Sequence, residues 1–204
     1  MAARVLADLC EQVRESGERY ALRPWSESDA QTLADAWADP EIARWNPIPP
    51  TPTVEFARSW IAGTATQTEE SVGIDVVLVQ RDPDPLSEDV QSDVVIGEIG
   101  FQVDQTEGIA EVGFWVGARH RSKGYGRRLL RSGLALASTL GLRGVIAFVD
   151  PENRAAVGLL EECLWTELVP HRTGEHSRCV SMDRLRRIDG AESTPDGVNR
   201  TRNY

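Results

Sequence analysis

Glu111-Val-Gly-Phe-Trp-Val-Gly-Ala-Arg-His-Arg-Ser-Lys-Gly-Tyr-Gly126 is the stretch from which the rest of the chain can be read. An apolar strand runs into a basic, glycine-bearing turn, and the turn opens onto the helical spacing of Arg127–Leu140. Glycine lets a backbone approach a ligand closely. The first N–H groups of a helix lack internal partners, and the helix dipole favours negative charge at that end. Arg121 and Lys123 add positive charge. The arrangement predicts a cradle for a diphosphate.

Working outward, Val5, Leu6, Leu9 and Val13 have the spacing of a helix over residues 2–14, ending near Gly17. Tyr20–Trp25 reads as a short strand, and Ser26–Asp29 offers capping chemistry for a helix over Ala30–Ala38 with Leu33 and Trp37 on one face. Pro47, Pro49, Pro50 and Pro52 interrupt regular structure before Thr53, which can cap a second helix. Val54, Phe56, Ala57, Trp60 and Ile61 are expected on its inner face. Strands are predicted at Ile74–Gln80, Val94–Val103 and Ile109–Val116, with an acidic, proline-containing loop over 81–93. Gly113 within a strand marks a bulge or the close approach of another backbone. Gly141 is positioned to end the helix over Arg127–Leu140. A buried strand at Val145–Val149 follows, then a helix over Asn153–Leu164 and strands at Trp165–Val169 and Cys179–Met182. The polar segment from Asp189 reads as a disordered tail.

Arg121, Gly124 and Gly126 spell Arg-x-x-Gly-x-Gly, and here the chain resembles the GCN5-related N-acetyltransferases (GNAT). The resemblance is closer to the branch that includes the ribosomal-protein N-terminal acetyltransferases and spermidine acetyltransferase. It also rests on Leu22-Arg23-Pro24, on Asp39-Pro40-Glu41-Ile42-Ala43-Arg44-Trp45, on Ile96-Gly97-Glu98-Ile99-Gly100-Phe101 and on Asn153-Arg154-Ala155-Ala156. Several segments in family order weigh far more than a glycine pattern alone. The expected fold is α/β, a mixed and mostly antiparallel sheet of six or seven strands with helices on both faces. Residues 1–19 are expected as a helical extension, 20–188 as the acetyltransferase domain, and 189–204 as the tail.

The 204 residues suit one domain, with 41% apolar and 26% charged residues. A net charge of -10 argues against nucleic acid and suits a cationic acceptor, although solubility alone would also account for it. No run approaches the length of a membrane span, and no signal-peptide pattern precedes residue 20; the expectation is a cytoplasmic protein. Cys10, Cys163 and Cys179 are scattered, and His120, His171 and His176 show no ligand spacing, so neither disulfide framework nor metal site is expected.

The resemblance implies acetyl-CoA as co-substrate, an amine as acceptor, direct transfer in a ternary complex, and a homodimer as a possible assembly. It implies that backbone groups of Phe114, Trp115 and Val116 pair with the pantetheine arm, one N–H polarising the thioester carbonyl. Arg121, Ser122, Lys123, Gly124, Tyr125 and Gly126 would hold the diphosphate, and Asn153 would approach the pantetheine or the sulfur. Trp115 reads equally as a core residue, and Asn153 as a helix N-cap. The family often carries a serine three residues after the asparagine or a tyrosine seven after it; here those positions are Ala156 and Leu160. Glu111 and Glu98 are the candidate bases, with Glu111 slightly preferred; each can also be read as a structural strand residue. His120 lies in the phosphate turn and is disfavoured as a base. Trp37, Trp45, Asn46 and the 47–52 loop are candidates for acceptor selection. Rival readings are another short acyl-CoA donor, or a catalytically weak CoA-binding regulatory protein.

Overall fold

A computed structural model of the chain describes residues 3–12, 19–46, 48, 52–70, 73–81, 93–163, 166–170 and 176–181. Most of the expected acidic loop, Met182 and the tail lie outside them. The elements follow as α1 (Ala3–Gln12), β1 (Tyr20–Pro24), α2 (Ala30–Trp37), α3 (Pro40–Trp45), α4 (Val54–Glu70), β2 (Gly73–Gln80), β3 (Val94–Asp104) and β4 (Ile109–Val116). Next come α5 (Tyr125–Thr139), β5 (Gly144–Val149), α6 (Arg154–Glu162), β6 (Thr166–Pro170) and β7 (His176–Ser181). One sheet of seven strands holds them in the order β1-β2-β3-β4-β5-β7-β6. Every neighbouring pair is antiparallel except β4 and β5. This is the mixed, mostly antiparallel sheet that the sequence predicts.

Strand alternation sends side chains to two separate cores. On one face Ile74, Val76, Leu78, Ile96, Ile99, Phe101, Ala110 and Val112 meet Leu129, Leu130, Leu134 and Leu136 of α5. Burying each of these leucines contributes roughly 1.5–3 kcal/mol. Gly133 lets α5 lie close on β3, because a Cβ there would run into the Ile99 side chain. The other face carries Val77, Val79, Val95 and Trp115 against Leu33, Trp37, Ile42, Ala57 and Ile61 of the three helices after β1.

The ends of α5 follow from turn chemistry. Gly124 sits at its N-cap with φ 80°, and Gly141 just past its C-terminus, also with φ 80°. Gly141 N–H donates to Ser138 O and Leu142 N–H to Ala137 O, the paired bonds of a Schellman motif. Thr53 caps α4 by accepting from Phe56 N at 3.1 Å. The expected inner face of α4 needs one correction. Ala57 and Ile61 are buried, but Phe56 is 47% exposed and packs its edge on Trp37, at 5.9 Å between centroids. The helix stripe is narrower than the run of apolar residues suggests.

The helix α3 was not expected. Its signal is present in Asp39-Pro40-Glu41: an N-cap, a proline at the first helical position and an acid in the first turn.

Candidate active site

The parallel junction of β4 and β5 is short. Its register covers only Ile109↔Gly144, Ala110↔Val145 and Glu111↔Ile146. Beyond Glu111, β4 continues to Val116 still paired with β3, while β5 continues to Val149 paired with β7. The two strands part, and the β5-facing edge of Val112–Val116 opens onto a cleft of about 1470 Å³. Unpaired strand edges carry alternating N–H and C=O groups, so this edge can take an extended ligand as an added strand.

All ten residues expected at the cofactor come together on this cleft: Phe114, Trp115, Val116, Arg121, Ser122, Lys123, Gly124, Tyr125, Gly126 and Asn153. Ser122 has φ 58°, and with Gly124 it bends the chain so that the turn's amides lead into α5. Gly126 lies against α6, where a Cβ would stand 3.0 Å from Leu159 Cδ2. Arg127, Arg128 and Arg131 of α5 also line the cleft, which makes its far end basic within an acidic chain. Arg127 pairs with Glu162 at 2.5 Å, and Arg128 stacks on Tyr20 at 4.6 Å. Tyr20 and Tyr125 join their hydroxyls at 3.1 Å.

Arg121 has a different use from the one its charge suggests. Its Nε donates to Val116 O at 3.0 Å and its Nη2 to Asp39 Oδ2 at 2.5 Å. The side chain ties the turn to the end of β4 and to α3. Lys123 likewise donates to Arg119 O at 2.7 Å. His120 is outside the cleft lining; burial first, then Lys123 and Arg119, push its pKa down.

Asn153 caps α6, its side-chain oxygen accepting from Ala156 N at 3.1 Å, and it also lines the cleft. The capping and lining roles coexist. Ala156 and the fully buried Leu160 line the same wall and carry no titratable group.

The two candidate carboxylates are far from equivalent. Glu111 is exposed at the point where β4 and β5 part; its side chain shares a strand face with Gly113 and Trp115. Glu98 is buried on β3 behind Trp115, whose Nε1 donates to Glu98 Oε2 at 2.7 Å. Neither carboxylate lines the cleft, whereas Trp115 does. Asp75 of β2, which the sequence did not single out, faces the same interior as Glu98, with Gly100 leaving room for its carboxyl. Burial, then the neighbouring Asp75, raises Glu98 to about 8, and burial raises Asp75 to about 6. The Trp115 hydrogen bond acts in the opposite direction. The buried indole of Trp25 also favours the charged Glu98, although its Nε1 makes no well-formed hydrogen bond among the described residues.

The chain thus has a strand that parts from its parallel neighbour beside a glycine turn and a helix N-terminus, the arrangement that the resemblance implies. The model of the acetyltransferase (GNAT) domain matches residues 19–163, and the chain belongs to the GNAT family of acetyltransferases. It is 30% identical over 145 residues to an uncharacterized N-acetyltransferase, p20, of Bacillus licheniformis; the match covers 70% of this chain and 76% of that protein. Among solved structures it resembles Mycobacterium smegmatis RimJ in complex with CoA-disulfide, with TM-score 0.69, 16% identity, and coverage of 85% of this chain and 89% of that one. It also resembles the ribosomal-protein-S5-alanine acetyltransferase of Vibrio fischeri, with TM-score 0.66, 17% identity, and coverage of 83% and 96%. At these identities the likeness is one of fold. Among the described residues no helix is long and apolar enough to cross a membrane.

Proposed function

We propose that this protein transfers an acetyl group from acetyl-CoA to a primary amine, by direct attack within a ternary complex. The observation that carries the reading is the parting of β4 from β5 after Glu111, with the open edge leading to the glycine turn. The amides of residues 121–126 and the arginines of α5 fit the diphosphate end. The Val112–Val116 edge fits the pantetheine, and an N–H on that edge is placed for the thioester oxygen.

The amine reaches the carbonyl carbon as the free base. The C–N bond forms, the C–S bond breaks, and one proton leaves the nitrogen. Glu111 takes that proton through water, because it is exposed beside the opening. Glu98 cannot touch an acceptor from behind Trp115; it holds the indole in place. Ala156 and Leu160 supply no acid, so the departing thiolate takes its proton from solvent. The acceptor is a protein N-terminus or a small amine; the net charge of -10 draws either as a cation.

The missing acid also supports a second reading, a CoA-binding protein with little catalysis. The two separate in one experiment: thiol release from acetyl-CoA across a panel of amines, including ribosomal-protein N-terminal peptides and polyamines. Turnover with at least one acceptor is expected. Tight CoA binding with no turnover on any acceptor favours the second reading, and no CoA binding removes both.

A further inference from the structure

Glu41, Ile42 and Trp45 of α3 line the cleft together with Asn46. Six residues form this helix, too few to hold their conformation alone. Ile42 anchors it in the core at 2% exposure. Its N-terminus is fixed by Asp39, whose two oxygens have separate tasks. Oδ1 accepts from Glu41 N at 2.9 Å and caps the helix. Oδ2 accepts from Arg121 at 2.5 Å, in a pair only 14% exposed on the aspartate side and 33% on the arginine side. At the other end Arg44 pairs with Glu152 at 3.2 Å, but both are largely exposed and the tie is weak.

Resting on the reading that the turn holds CoA, we infer that Asp39 is a positioning residue through which cofactor occupancy orders the acceptor wall. Arg121 is part of the turn that the diphosphate would fix, and it is bound at once to Val116 O and to Asp39. A turn containing Ser122 at φ 58° and Gly124 at φ 80° gains order when an anion fills it. Through the ion pair that order reaches α3. Linkage makes the coupling reciprocal: a wall held by an acceptor tightens CoA. The consequence is positive cooperativity between cofactor and acceptor.

Asparagine at position 39 separates the two tasks, because its one oxygen caps a helix as well as aspartate does while its NH2 offers Arg121 no acceptor. The test is backbone hydrogen exchange on the full chain with and without saturating CoA. In the native protein CoA slows exchange over both 121–128 and 40–46, by tenfold or more. In Asp39→Asn the turn remains protected while 40–46 returns to within twofold of its ligand-free rate. Protection of 40–46 that survives in Asp39→Asn means direct contact with CoA and overturns the inference. So does a native α3 indifferent to CoA while the turn is protected. Loss of protection everywhere, the turn included, overturns the cofactor reading together with this one.

Discussion

Trp115 Nε1 donates a 2.7 Å hydrogen bond to Glu98 Oε2 across two neighbouring strands, with both side chains buried. Trp115 lines the cleft, whereas Glu98 does not. The side chain of a cleft-lining residue is therefore oriented by a group whose own charge is costly where it sits.

That cost has a direction in pH. Glu98 and Asp75 both have folded pKa values above their unfolded ones. The folded state binds more protons, so stability is greatest below the unfolded values and is lost as pH rises through about 6 and then about 8. Glu98→Gln keeps the shape and removes the charge. Its stability should fall less between pH 5 and pH 9 than that of the native chain, the difference reaching on the order of 2–4 kcal/mol. Urea titrations at several pH values check this. Parallel curves for the two proteins would show that Glu98 does not carry the effect.

Glu111→Gln addresses the chemistry. The residue is exposed at the parting of the strands, and replacing it should leave folding and CoA affinity unchanged. It should lower kcat/KM about 100-fold, the usual contribution of a general base. The loss should shrink at high pH, where free amine accumulates without help. Native turnover by the variant on an acceptor identified in the panel would move the role elsewhere.

Ala156→Ser places a hydroxyl on the cleft wall at a position that otherwise offers no proton. Where thiolate protonation limits turnover, kcat should rise severalfold, toward the lower end of the range for general acids. Steady-state and single-turnover rates together decide whether that step is limiting.

Gly124→Glu sets a carboxylate in the turn at a position with φ 80° and no neighbouring atom in the way of a Cβ. The left-handed backbone should cost about 1–2 kcal/mol of stability. CoA affinity should fall at least 100-fold by calorimetry. Retained affinity would place the diphosphate somewhere other than this turn.

Glu152→Gln removes the exposed pair with Arg44. Stability should change by less than about 0.5 kcal/mol, since exposed ion pairs contribute little. A larger loss in thermal unfolding would show that the pair is held more rigidly than its exposure suggests.

Most of the fold could be read in the sequence, because strand alternation and helix spacing report burial directly. Leu129, Leu130, Leu134 and Leu136 sit where their helical spacing puts them, and Ile74–Gln80 forms the strand its β-branched residues indicate. The glycine turn was legible because Gly124 and Gly126 have backbone tasks that few other residues perform. Three things were not. Asp39 and Arg121 lie 82 positions apart, and no local pattern announces that they meet. Asp75 becomes notable only beside Glu98, through a strand register fixed by the whole sheet. Phe56 follows the apolar pattern of its helix but lies beyond the edge of what the sheet covers.

Three residue pairs, Ile109 to Glu111 with Gly144 to Ile146, are the entire seam between the first four strands and the last three. The same opening that admits a ligand leaves the sheet narrowly stitched at its middle. A substitution that thickens or breaks that seam, at Ala110 or Val145, would act as damage to two half-sheets at once, because both lean on those few rungs for their alignment.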